Sequence, residues 1–161
     1  MVTEQKRFRK DDPSKSKKPT TTNILDRSPP FDLSAEMGVL GSLILNPDVA
    51  NDLALEIRAD DFYDDAHRKL YAAMMNMFDS GRKMDVTLLV SELKTAGDYE
   101  LIGGAGYLAK LANSVPNAAH AKYYAQIVRS KATIRRLIDA STAILSDAYD
   151  ESSDAKELVS Q

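Results

Sequence analysis

The sequence predicts an all-α fold, and three observations carry that prediction. Apolar residues recur three and four positions apart through most of the chain. Residues suited to helix N-caps precede those runs, and glycine or proline follows them. Alternating, strand-like patterns are scarce by comparison. The expected architecture is a compact multi-helix globular head followed by a long helix that opens a helical hairpin.

The first helix begins behind Pro29-Pro30. Asp32 is suited to cap it, and Glu36 falls in its first turn, near the positive end of the helix dipole. Leu33, Met37, Leu40 and Ile44 follow at helical spacing and read as one buried stripe. Gly38 and Gly41 each lower helix propensity by about 1 kcal/mol, which points to close approach by a neighbouring backbone. Asn46 then caps the next helix with Pro47 at its first position, and Val49, Leu53 and Ile57 continue the core side.

Asp64 is placed to cap a third helix carrying Leu70, Tyr71, Met74, Met77 and Phe78, with Gly81 past its end. Asp85 is placed to cap a fourth, in which Met84 and Leu89 form a hydrophobic staple, Leu93 faces inward and Gly97 stops the helix. Gly103-Gly104 turns into a short fifth helix holding Tyr107, Leu108 and Leu111, and Pro116 breaks the chain.

From about Ala118 to Tyr149 neither glycine nor proline occurs. One continuous helix of roughly 30 residues, about 45 Å long, is expected there. Ile127, Ile134, Ile138 and Leu145 form one apolar edge, and Leu137, Ile144 and Ala148 a second beside it. A helix apolar over so wide an arc must pack on more than one surface. Arg129, Lys131, Arg135 and Arg136 add a basic edge that fits either a solvated face or a subunit contact. Asp154 and Glu157 resemble a capping box for a further helix with Leu158 and Val159, so the hairpin reads as truncated at Gln161 and the chain as a fragment of a longer one.

Composition narrows the function. Cysteine is absent, which excludes disulfides and thiolate metal sites and fits a reducing cytoplasm. No apolar run approaches the roughly 20 residues of a membrane span, so no membrane partner is expected. The net charge of -3 hides an asymmetry: residues 1–28 hold eight basic and four acidic side chains, the rest thirteen and twenty. A basic leader on an acidic body can steer towards nucleic acid; the same composition suits a disordered solubilising segment. The expected division is a leader over 1–28, a helical head over 29–116 and the long helix with the start of its hairpin over 117–161.

No catalytic, cofactor or metal constellation stands out. Asp60, Asp61, Asp64, Asp65 and His67 cluster, but adjacent aspartates diverge, and these positions suit a turn and a helix N-terminus better than a cation. His67 reads as a packed or hydrogen-bonded helix residue and His120 as exposed, without a partner nucleophile. The helices around Gly97 and Gly103 are joined too loosely for a DNA-reading helix-turn-helix, and the second offers only Lys110. Met74, Met75 and Met77 read as core at helical spacing, with Met75 outermost.

Several segments keep a common order along the chain: Pro29-Pro30, Ala35-Glu36, Val39-Leu40-Gly41, Asp60-Asp61-Phe62-Tyr63 and His67-Arg68. Asp85, Gly103-Gly104, Tyr107-Leu108, Leu111, Pro116 and Tyr124-Ala125-Gln126-Ile127-Val128-Arg129 continue it, followed by Arg135 and Ile138. In that order the segment from 29 to 161 resembles the amino-terminal domain of DnaB-type replicative DNA helicases. The resemblance implies heads and hairpins that associate into a trimer-of-dimers collar on a hexameric ring. It also implies contact with primase and, in some systems, with a helicase loader, while DNA and ATP with magnesium belong to the full-length ring and its motor domain. No G-x-x-x-x-G-K-[ST] loop occurs in this chain; Gly103-Gly104-Ala105-Gly106 lacks the lysine and hydroxyl such a loop needs. The residues expected at a subunit or partner interface are Ile134, Arg135, Arg136, Leu137, Ile138, Ile144 and Leu145, with Asp85 and Tyr107 as secondary contacts. A basic-tailed nucleic-acid-binding protein and a free-standing adaptor are the alternatives.

Overall fold

The structure, a computed structural model, describes residues 26–150. Nearly all of the basic leader, and the second hairpin helix expected around Asp154 and Glu157, lie outside the described residues. Within them run α1 (Leu33–Leu45), a 3-10 turn (Pro47–Val49), α2 (Ala50–Glu56), a second 3-10 turn (Ala59–Asp61), α3 (Asp65–Asp79), α4 (Val86–Ala96), α5 (Gly104–Ala112) and α6 (Ala121–Tyr149). No strand occurs among the described residues.

Local chemistry sets the helix ends. The Asp32 carboxylate accepts the Ala35 N–H at 2.9 Å, Asp64 accepts the His67 N–H at 3.0 Å, and Asp85 accepts those of Thr87 and Leu88 at 2.7 and 3.2 Å. Each satisfies donors that a helix leaves without internal partners. Gly81, Gly97, Gly103 and Gly104 all adopt positive φ, so the stops after α3 and α4 and the turn into α5 use glycine for its conformation. Asn46 caps Pro47–Val49 rather than α2 itself, so the second helix starts as a tight turn and only then widens.

α1 occupies the centre, packed by α3, α5 and α6. This corrects the single buried stripe expected for it. Of Leu33, Met37, Leu40 and Ile44, only Leu40 is fully buried, and Leu33 is 39% exposed. The buried residues run around the helix instead: Ala35, Glu36, Gly38, Val39, Leu40, Gly41, Ser42 and Leu43. A stripe forms where a helix meets one surface; α1 meets several, and periodicity cannot show that. The two glycines permit it. A Cβ on Gly38 would stand 2.7 Å from the Tyr124 ring of α6, and one on Gly41 would collide with the Leu111 carbonyl oxygen and Ser114 beyond α5.

α6 runs for 29 residues without a break. Its buried residues are Ala121, Ala125, Val128 and Ala132, small side chains spaced four, three and four apart. The expected packing edges through Ile127, Ile134 and Ile138 are therefore not the ones set against the head; those three are each 39–43% exposed. Small residues bring the α6 backbone close to α1, as the contact between Gly38 and Tyr124 also requires.

Candidate partner-docking site

At 100° per residue, Ala121, Ala125, Val128 and Ala132 fall on one side of α6. Tyr123, Ile127, Ile134, Leu137, Ile138 and Ile144 fall on roughly the opposite side, and all six are exposed. Leu137 and Ile144 are 66% and 67% exposed. Leu145 is half-buried, and from Thr133 to Asp150 no residue is buried. Helix α6 thus presents an apolar face, interrupted by Ser130 and Ser141, that the described residues leave uncovered, and exposed apolar surface of this kind marks interaction sites.

Arg135 and Arg136 flank the buried stripe, one on either side, and fasten α6 to the head. The Arg135 guanidinium donates to the carbonyl oxygens of Pro30 at 2.8 Å and Asp61 at 2.6 Å. It also stands 5.6 Å from the centre of the Tyr63 ring, which stacks on Phe31 at 4.4 Å and 10°. Arg136 pairs with the Asp61 carboxylate at 2.9 Å. Asp61 is 4% exposed, and its other oxygen accepts the Arg58 N–H at 2.9 Å. Asp61 thereby closes the second 3-10 turn and anchors α6 at once. The structure brings Arg135 and Arg136 together on the segment 30–63, while Ile134, Leu137, Ile138 and Ile144 face outward.

The proposed secondary contacts sit apart from that face. The Tyr107 hydroxyl on α5 lies at hydrogen-bond distance, 2.7 Å, from His67 Nε2, and His67 Nδ1–H donates to the Glu36 carboxylate at 2.6 Å. The carboxylate can only accept, so Nδ1 carries a proton. Glu36 also accepts the Tyr63 N–H at 2.6 Å and the Asp64 N–H at 3.3 Å. Burial, together with the charges of Asp64 and Glu36, pushes the Tyr107 hydroxyl pKa up. This buried chain ties α1, α3 and α5 together. Asp85, by contrast, is exposed and occupied as the cap of α4; its two backbone hydrogen bonds hold its carboxyl below the ordinary aspartate range.

Sequence reasoning gave Glu36 a place in the first turn and missed its partners. The available signal was a carboxylate flanked by Ala35 and Val39 on a helix otherwise rich in glycine and leucine. The aspartates behave as caps and anchors: Asp64 caps α3 and Asp61 holds Arg136. Among the described residues no group of acidic and histidine side chains is arranged to hold a metal ion. No helix among them is long and apolar enough to cross a membrane.

A family model, the DnaB-like helicase N terminal domain, matches residues 28–130. The chain belongs to that family. It is 40% identical over 141 residues to the replicative DNA helicase DnaC of Bacillus subtilis, covering 87% of this chain and 31% of that protein. Against the replicative DNA helicase DnaB of Mycobacterium leprae, identity is 41% over 135 residues, covering 83% and 22%. The chain thus spans less than a third of these relatives. The crystal structure of the N-terminal domain of DnaB helicase from Mycobacterium tuberculosis superposes with a TM-score of 0.78 at 40% identity, covering 83% of this chain and 94% of that one. A DnaB-like replicative helicase described with its primase interactions superposes with a TM-score of 0.68 at 25% identity, covering 80% of this chain and 30% of that one. The DnaB family domain and its all-α architecture agree with the reading of the sequence.

Proposed function

We propose that this chain is the amino-terminal assembly and docking portion of a replicative DNA helicase. In this reading it supports hexamer formation and offers a contact surface for primase and, where one exists, a loader, while a motor domain elsewhere in the parent protein binds ATP, magnesium and DNA. The uncovered apolar face of α6 carries the proposal. Ile134, Leu137, Ile138 and Ile144 supply surface whose removal from water contributes about 25 cal/mol per Å², before the costs of association. Arg135 and Arg136 set the angle of that face by tying the helix to Pro30 and Asp61. The helicase relatives, and the structural relative described with primase, support the same role.

Ile138→Asn tests it, because residue 138 is outside the head-packed stripe. Helicity and thermal unfolding should be unchanged, while self-association by light scattering and capture of primase both weaken. If assembly and primase capture both survive in a folded variant, the α6 face is not the docking surface. The parent gene is also expected to encode a phosphate-binding G-x-x-x-x-G-K-[ST] loop beyond residue 161.

A further inference from the structure

A second surface feature is independent of the apolar face. A polar cleft of about 350 Å³ lies between the end of α2 and one edge of α6, lined by Leu55, Glu56, Arg58, Asp61, Arg129 and Arg136 among others. Helical pitch explains part of the convergence: Arg129 and Arg136 are seven residues apart, two turns along the same edge of α6. Arg58 reaches the cleft from the start of the second 3-10 turn.

The charges at this cleft do not cancel. Asp61 is taken by Arg136 at 2.9 Å, and Glu56 by Lys122 at 3.2 Å. The Arg129 guanidinium donates to the Glu56 carbonyl oxygen at 3.2 Å, a dipole rather than a charge. Among the described residues neither Arg58 nor Arg129 pairs with a carboxylate. Two guanidinium charges therefore stand without a counter-charge at a concave polar wall, and Leu55, 83% exposed, stands at the same cleft.

We propose that this cleft binds a small phosphorylated anion of the class of a diphosphate or nucleoside diphosphate. A guanidinium offers a planar fork that matches phosphate oxygens in pairs and sheds water more readily than an ammonium. A ligand with at least two negative charges answers both free arginines, which a single carboxylate does not. The volume falls at the small end of ligand-sized sites. Leu55 gives apolar surface for a group attached to the phosphates. The cleft lacks a P-loop sequence, so the assignment is binding without hydrolysis.

Calorimetric titration of the 161-residue chain at low salt, with inorganic pyrophosphate and separately with ADP, tests the proposal. Saturable one-to-one binding is expected, and Arg58→Gln with Arg129→Gln should weaken it by about tenfold or more. Arg82→Gln, which removes a positive charge that pairs with Glu92 and does not line the cleft, should leave it unchanged. ADP binding tighter than pyrophosphate assigns a nucleotide; equal affinities assign the diphosphate group alone. Both arginines are exposed, so circular dichroism should show the same helix content in every variant. Should Arg129→Gln disturb α6, Arg58→Gln alone retains the test, since the Arg58 backbone keeps its bond to Asp61. The site is overturned by titrations that do not saturate, by a double variant that binds as well as the parent, or by an equal loss in Arg82→Gln.

Discussion

The two halves of α6 belong to one unbroken helix and do opposite things. From Ala121 to Ala132 the buried side chains are three alanines and one valine, pressed against the head. Beyond Ala132 the apolar side chains are larger, and Leu137, Ile138 and Ile144 are exposed on roughly the far side of the helix. The contrast teaches that residue size reports packing distance and not burial. Helices that approach closely use small residues at the contact, and large aliphatic residues left uncovered among the described residues mark where a partner is wanted. Arg135 and Arg136 stand at the boundary, making the last bonds to the head before the outward face dominates.

The most severe break should come from the surface that the first half of α6 packs against. Glu36→Ala takes from α1 the acceptor of three donors, on His67, Tyr63 and Asp64, and should cost about 3 kcal/mol or more in urea unfolding. A loss under about 1 kcal/mol would mean that α1 is not the fixed core on which α6 rests. Ala125→Leu should be next. It forces a larger side chain into the close contact between α6 and α1 and should cost about 1–3 kcal/mol by the same measurement.

The matching change in the second half should do little to the isolated fold. Leu137→Ser with Ile144→Ser should alter stability by less than about 0.5 kcal/mol, while self-association and primase capture fall. If this pair destabilised the chain as much as Ala125→Leu, the contrast between the halves would collapse, because the outward face would then be packed within the chain. The smallest effect lies outside α6 and appears only in acid. The Asp85 carboxyl is held below its ordinary range by backbone hydrogen bonds, so its folded pKa is lower than its unfolded value of about 3.9. Its contribution is present above that pH and is lost as pH falls through the lower folded value. Asp85→Asn should flatten the pH dependence of unfolding below about pH 4, while at neutral pH the amide oxygen still accepts the same N–H groups and keeps most of the cap. An unchanged acid slope would show that the α4 cap does not report on folding.

Much of this was legible in the chain. Asp32, Asp64 and Asp85 mark helix starts because a short carboxylate before an apolar run can accept the free N–H groups behind it. Gly81, Gly97 and Gly103 mark stops and turns because their backbones need positive φ. Gly41 signalled a close backbone correctly, that of Leu111 in α5, whereas Gly38 meets a side chain, the Tyr124 ring of α6; neither neighbour could be named from spacing. The apolar face of α6 was legible as a face and was expected at a subunit contact; that alanines and a valine would seat the helix on the head was not legible. Glu36 and Asp61 gave the least warning, since each gains its meaning from groups distant in sequence: His67 for one, Arg136 for the other.

By itself the sequence determined the helices, their ends and the family order of motifs, because caps, glycines and periodicity act within a few residues of each other. Only the tertiary structure decided that α1 is central, that alanines rather than isoleucines seat α6, and that two arginines with no carboxylate partner among the described residues stand beside a cleft. Each of those depends on which surfaces meet across long chain separations, where burial and charge pairing are settled by packing and not by local preference.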